Sequence, residues 1–224
     1  MDHLISHGPV FTTLTLKLQP GERFKAEAGA MVAMSPTIDL QAKASGKGLL
    51  GTIAAAVGGE ALFGSIFTAR AAGELVLAPG VPGDIVAVEL KGQTLFAQGG
   101  AYLAGSEDLT LSTQGSVRAM LGGEGLFLSK ISGTGLLFLN SYGAVFTKTL
   151  LPGESYIVDT GHIVAFEAGV EYRLRKAAPG LFNTLASGEG LVAEFTGPGK
   201  LYIQSRNLKA FAGLLAPFLG RASG

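Results

Sequence analysis

The sequence contains no cysteine and no tryptophan, and only three histidines among its 224 residues. Without thiols there can be no disulfide, thiolate zinc site, iron–sulfur ligation or cysteine nucleophile. Charge is scarce as well: 17 basic and 17 acidic residues make up 15% of the chain and cancel, against about 25% in an ordinary soluble domain. A zero balance gives no overall field that would steer the molecule to nucleic acid or an anionic membrane. Proline is modest at 9 residues, and the 34 glycines do not recur at every third position, which excludes a collagen-like helix. Long hydrophobic runs are missing too. The longest stretch without a charge, Ile131 to Thr147, has 17 residues and includes Gly133, Gly135, Asn140 and Gly143; a bilayer-spanning helix needs about 20 mostly apolar residues. No integral membrane span is therefore expected. Met1 to Pro9 has neither the basic region nor the apolar region of a signal peptide, so a cytoplasmic location is expected.

What the chain does have is apolar residues, 47% of the total. Such a composition buries enough surface to offset chain entropy, so disorder is excluded. It also has self-similarity. Leu18 to Met34 (LQPGERFKAEAGAMVAM) matches Leu150 to Phe166 (LLPGESYIVDTGHIVAF) without a gap, with seven of 17 positions identical. Leu95 to Ala104 can be laid on the same frame, with Gly100 opposite Gly29 and Gly161. A second motif, Gly-Glu-x-Leu-apolar, occurs three times, at Gly59, Gly123 and Gly188. Each copy is followed by a Gly-x-Leu-x-apolar stretch, at Gly73, near Gly135 and at Gly199. Recurrence at such a period marks one supersecondary unit written several times.

Within a unit the period is two. Val10, Leu14, Leu16 and Leu18 fall on one face, with Thr13, Thr15 and Lys17 on the other, which is the pattern of a half-buried strand. Pro-Gly pairs at 20–21, 79–80, 152–153 and 179–180 supply turns between such runs. The expected fold is all-β, with three internally repeated β-sandwich units at 1–80, 81–140 and 141–206 and a helical or irregular tail at 207–224. Short helices are expected only near 53–57 and 207–216, where Leu208, Phe211, Leu214 and Leu215 share a helical face.

The Gly-Glu-x-Leu-Phe motif, Gln98 to Ala104 (QGGAYLA), Gly153 to Phe166 and Tyr202 to Arg206 (YIQSR) together resemble the bacterial branch of the altered-inheritance-of-mitochondria protein family, which has a TRAP-like fold. The likeness spans Gly21 to Arg206 and lies in dispersed glycines and apolar positions. It implies repeated β-sandwich units similar to subunits of the tryptophan-activated RNA-binding attenuation protein, and an oligomer. Mitochondrial relatives are linked to inner-membrane organisation, whereas bacterial members have no assigned activity and share no catalytic motif. Arg70 to Gly73 (RAAG) departs from the glycine-richer segment such a family carries after its first Gly-Glu motif, so no functional residue is transferred there.

Chemical signals are weak beside the architectural ones. Gly46 to Gly51 (GKGLLG) fits G-x-G-x-x-G, but a dinucleotide site needs a preceding strand, a long helix and a parallel sheet, so a flexible or tight turn is expected. His3, His7 and His162 are too dispersed for a metal centre, and no cofactor is expected. Glu60, Glu124 and Glu189 recur at matching places, as do Glu22 and Glu154. A Glu after a turn glycine accepts otherwise orphaned backbone N–H groups, which fits these positions better than acid–base catalysis. Arg173 and Arg175 alternate on one strand and Arg206 lies near Tyr202; these are the surface binding candidates. The positive stripe of Arg173, Arg175 and Lys176 is only three charges long and has no aromatic partner on its face, which argues against nucleic acid. The expectation is a non-enzymatic homo-oligomer, a trimer or larger ring, acting as a scaffold or interaction protein. The alternative is a ligand- or RNA-binding ring by analogy with the TRAP-like fold.

Overall fold

Alternating leucines near the start of the chain become the inner face of a strand. The structure, a computed structural model, describes residues 2–42, 64–118, 125–176 and 191–218. Its first group of strands is β1 (Asp2–Ser6), β2 (Thr13–Leu18), β3 (Arg23–Ala26), β4 (Met31–Met34), β5 (Ile38–Ala42), β6 (Ser65–Ala69) and β7 (Gly73–Leu77). Leu14, Leu16 and Leu18 are fully buried, while Val10 precedes the strand and is exposed. The N-terminal segment forms the strand β1, antiparallel to β2 from Asp2 opposite Lys17 to Ser6 opposite Thr13.

A second group comprises β8 (Ile85–Gln98), β9 (Tyr102–Ser106), β10 (Thr110–Arg118) and β11 (Gly125–Asn140). The third comprises β12 (Val145–Leu150), β13 (Ser155–Asp159), β14 (Ile163–Glu167), β15 (Glu171–Lys176), β16 (Leu191–Thr196) and β17 (Gly199–Gln204), followed by the helix α1 (Leu208–Leu215). The protein is all-β, and α1 lies where the apolar spacing of the tail placed a helix. The segment 53–57 lies outside the described residues. Among the described residues no helix is long and apolar enough to cross a membrane. The uncharged run from Ile131 is strand β11 as far as Asn140, with Ile131, Leu137, Phe138 and Leu139 in the core.

One pairing plan recurs. In the first group β2 and β4 both flank β7, while β3 and β5 both flank β6. In the third, β12 and β14 flank β17, while β13 and β15 flank β16. In the second the long strands do double duty: the C-terminal half of β11 lies between the first half of β8 and β9, and its N-terminal half between the second half of β8 and β10. The ladder shifts register between Ser132 and Thr134. Gly133, at φ +124°, supplies the backbone state that this break needs and that a side chain disfavours.

Neighbouring groups join edge to edge. β3 pairs β9 through Phe24↔Ser106, Lys25↔Gly105 and Ala26↔Ala104. β8 pairs β14 through Leu95↔Glu167, Phe96↔Phe166 and Ala97↔Ala165. The cores are shared in the same way. Leu103, Ala104 and Phe138 complete the core of the first group, and Leu126 and Leu128 enter that of the third. Phe138 tilts against Phe24 at 6.0 Å between ring centroids and meets the edge of His3 at 5.1 Å.

The starts of the groups meet as well. Phe11, Gly83 and Gly143 form successive parallel bridges, and the Asp84 carboxylate gathers the chain around them. It accepts hydrogen bonds from Thr12 Oγ1 at 3.1 Å, the Ile85 amide at 2.9 Å and the Val145 amide at 3.4 Å. Buried Ser141 donates to the Gly143 carbonyl at 2.7 Å. Among the described residues no buried side-chain polar atom lacks a partner, as a rigid polar cluster requires.

Candidate interaction surface

Arg173 and Arg175 do share one side of β15, but both are spent on the neighbouring strand. Arg173 Nη2 and Arg175 Nε lie 3.1 and 3.0 Å from the same Glu194 oxygen. The hydrogen bond from Arg173, with help from Arg175, holds the Glu194 carboxyl below the usual carboxylate value. Arg206 lies beyond β17, in a different sheet from β15, with its side chain beside Gly143. The three arginines therefore do not make one basic face.

The histidines are engaged separately: His3 with Phe138, His7 Nδ1 with Thr13 Oγ1 at 3.0 Å, and His162 Nδ1 with the Gln204 carbonyl at 2.8 Å. Among the described residues no three metal-ligating side chains converge. Glu22 and Glu154 accept the backbone N–H of Gln19 and Leu151 at 2.8 and 2.9 Å, closing the two Pro-Gly turns. Glu60, Glu124, Glu189 and the run 46–51 lie outside the described residues.

Three tyrosines are perturbed by the fold, Tyr172 being raised by burial alone. Burial, and secondarily Glu27, pushes the Tyr102 hydroxyl well above its ordinary value, and it donates to the Lys25 carbonyl at 3.0 Å across the β3–β9 junction. Burial, then Glu167, pushes Tyr202 up to about 12. All three shifts move away from neutrality, so none of these hydroxyls is an activated nucleophile; catalytic groups are tuned toward the working pH.

The conspicuous surface is apolar and was not apparent from residue types. Among the described residues β13 pairs only β16, and β4 pairs only β7. All four residues of β4 are exposed. The bulge residue skipped by the ladder is Val32 in β4, Leu103 in β9 and Val164 in β14. Leu103 and Val164 are 0% and 1% exposed, whereas Val32 is 59% exposed. On β13, Ile157 is 51% exposed and Tyr156 is also open. Beside it runs a groove of about 330 Å³, lined by Phe146, Ile157, Val158, His162, Ile203 and Gln204 among others. The tail continues this apolar region: Asn207 caps α1 by accepting from the Ala210 amide at 3.1 Å, Phe211 packs on Tyr142, and Leu208, Leu214 and Leu215 face outward. Met31 to Met34 carries no polar residue, the one sequence signal that both faces of this strand expect cover.

The arrangement of dispersed glycines and paired strands has known relatives. The model of the mitochondrial biogenesis AIM24 family matches residues 4–206. The chain belongs to that family. An uncharacterised protein of Streptococcus pyogenes serotype M6 is 34% identical over 232 residues, covering 100% of this chain and 93% of that protein. A crystal structure of a protein from Streptococcus pyogenes superposes with a TM-score of 0.82 at 32% identity, covering 97% of this chain and 99% of that one. The AIM24 match and this superposition span all three groups of strands, so the likeness is one of the whole fold.

Proposed function

We propose that this chain is a non-enzymatic scaffold or interaction protein that works as a homo-oligomer, built from three copies of one β unit at 1–80, 81–140 and 141–206 and completed by the tail at 207–224. The recurrent pairing of strands around β7, β11 and β17 supports the triple unit. The observation that carries the functional reading is the pair of open apolar edges, β4 and β13. Unpaired strand edges attract further strands, and natural proteins normally blunt them with charge or cover them; a contiguous apolar surface marks an interaction site. A cytoplasmic location belongs to the same reading. The ligand- or RNA-binding alternative rests on fold likeness alone, and the engagement of Arg173 and Arg175 by Glu194 leaves it without a free basic stripe on β15.

Light scattering coupled to size exclusion tests the reading. A mass several times that of one 22.9 kDa chain is expected at micromolar concentration; a clean monomer overturns it.

A further inference from the structure

We propose that copies of this protein join head to tail, the β13 edge of one chain adding to the β4 edge of the next in the register Tyr156↔Ser35, Ile157↔Met34 and Val158↔Ala33. This rests on the homo-oligomer reading above and names the two surfaces that would carry it.

The register follows from a rule the chain already obeys twice. At the β3–β9 junction, the residues after the bulge at Leu103 are Ala104, Gly105 and Ser106, which face Ala26, Lys25 and Phe24. At the β8–β14 junction, the residues after the bulge at Val164 are Ala165, Phe166 and Glu167, which face Ala97, Phe96 and Leu95. Counted from the bulge, the two registers are identical. In the third set the bulge is Val32, followed by Ala33, Met34 and Ser35. The ungapped match of Leu18–Met34 with Leu150–Phe166 puts Val158, Ile157 and Tyr156 in the places of Ala26, Lys25 and Phe24. The β4 and β13 edges are thus the two halves of the same junction, and they do not pair with each other, lying in different sheets.

Burial and charge agree with a partner of this chemistry. Where the junction is made, the bulge residue and the alanine after it are sealed into the neighbouring core: Leu103 and Ala104 sit with Phe24 and Leu14. Where it is not made, Val32 protrudes and the corresponding core position beside Val158 and Phe146 is a groove. Neither Met31–Pro36 nor Ser155–Val158 contains a charged residue, so the paired residues themselves set no charge against an incoming strand; the nearest charges on the β13 side are Lys148, over the Tyr156 ring, and Asp159 at the groove. The bulge does not protect the β4 edge, because β9 and β14 pair with theirs in place. The two surfaces differ from one another, so the contact is heterologous and builds a ring if it closes and an open chain if it does not.

The absence of cysteine makes the register directly readable. Single variants Met34→Cys and Ile157→Cys, mixed and mildly oxidised, should give a disulfide-linked pair of chains, because directly opposed strand residues lie within bridging distance. The one-residue shift, Met34→Cys with Tyr156→Cys, should not, since neighbouring residues point to opposite faces. In parallel, Val32→Glu and Ile157→Glu should each reduce the particle to a single chain. An equimolar mixture of these two variants should form a capped dimer, each supplying the edge that the other lacks. Both positions are exposed in one chain, so the fold should survive either change, with an unaltered circular dichroism spectrum as the check. If the wild-type protein is monomeric, the homo-oligomer reading itself falls. If it associates but neither glutamate variant shrinks it and no mixed disulfide forms, the edge pairing falls while the oligomer stands. A disulfide formed only within the Met34→Cys/Ile157→Cys double variant, and never between chains, would also overturn the proposal.

Discussion

Val32 and Leu103 hold the same place in two strands, each the residue the ladder skips as β4 passes β7 and β9 passes β11, yet Leu103 is sealed and Val32 stands in the open. The difference lies in what borders each strand. β9 has β3 along its second edge, and the Leu103 carbonyl accepts the Glu27 amide at 2.8 Å. β4 has no second neighbour among the described strands.

That contrast predicts unequal costs for truncation. Leu103→Ala removes core volume shared between the first two groups and should cost about 2–5 kcal/mol. Val32→Ala removes surface only and should stay within about 0.5 kcal/mol. Urea unfolding of dilute protein, where association is suppressed, would measure both.

Asp84 gives a second prediction. Its carboxylate joins a side chain of the first group, Thr12, to the backbone of the third, Val145. Asp84→Ala leaves the buried Thr12 hydroxyl without its acceptor and should cost about 1–3 kcal/mol. Asp84→Asn, which keeps one acceptor oxygen, should cost less. Equal losses in thermal melts of the two variants would show that shape, rather than hydrogen bonding, matters at this position.

How much of this was legible beforehand depends on the range of the interaction. Leu14, Leu16 and Leu18 announced their buried face because a strand alternates every second residue, and the Leu208–Leu215 stripe announced α1 through helical spacing. The repeated Glu22 and Glu154 announced turn closure, since a side chain three residues away decides it. β1 was hidden: His3 and Ile5 alternate with other residues too briefly to separate a strand from an extended end, and only pairing with β2 defines it. The interaction surface was hidden for a different reason. Met31 to Met34 resembles Tyr102 to Gly105 and Ile163 to Phe166 in composition, and nothing local tells which of the three strands lacks a neighbour. What separates them is pairing distant in sequence: β9 has β3 along its second edge and β14 has β8, whereas among the described strands β4 pairs only β7. The arginines show the converse error, because alternation placed Arg173 and Arg175 together correctly but could not reveal Glu194 on β16 beside them.

Gly83 supplies a third prediction. A Cβ built there would overlap the carbonyl oxygen of Ser141, where the starts of the second and third groups cross. Backbone cannot rotate away as a side chain can, so Gly83→Ala should cost about 3 kcal/mol or more. Gly80→Ala, three residues earlier with nothing within 4 Å of its Cβ, should change stability by less than about 0.5 kcal/mol. Chemical denaturation of the pair separates a close approach from a general effect of glycine in this loop.

At the alkaline end, the raised pKa of Tyr202, about 12, has a defined sign. An unfolded tyrosine ionises near 10, so between about 10 and 12 the unfolded state sheds a proton that the folded state keeps, and stability falls as pH rises. Absorbance titration of native protein should show Tyr202 and Tyr102 ionising above the ordinary value near 10, and Tyr202→Phe should flatten the loss of stability above pH 10. A single common tyrosine titration near 10 in the native protein would contradict the burial that causes the shift.

At the acid end Glu194 is one of two carboxyls held low, the other being Glu154 beside Lys148; Glu194 is held down first by Arg173 and also by Arg175. Its folded pKa lies below the ordinary 4.5, so the folded state releases the proton more readily than the unfolded chain. The stabilisation is therefore fully present above the ordinary value and is lost as pH falls through the lowered one. Glu194→Gln should make the protein less stable at neutral pH, and the deficit should shrink as both proteins are acidified. Because the pair lies at the surface, added salt should shrink it too. Melting temperatures of wild type and Glu194→Gln between pH 7 and pH 3, at low and high salt, measure both trends; a deficit that does not change with pH would place the role of Glu194 in packing rather than in its charge.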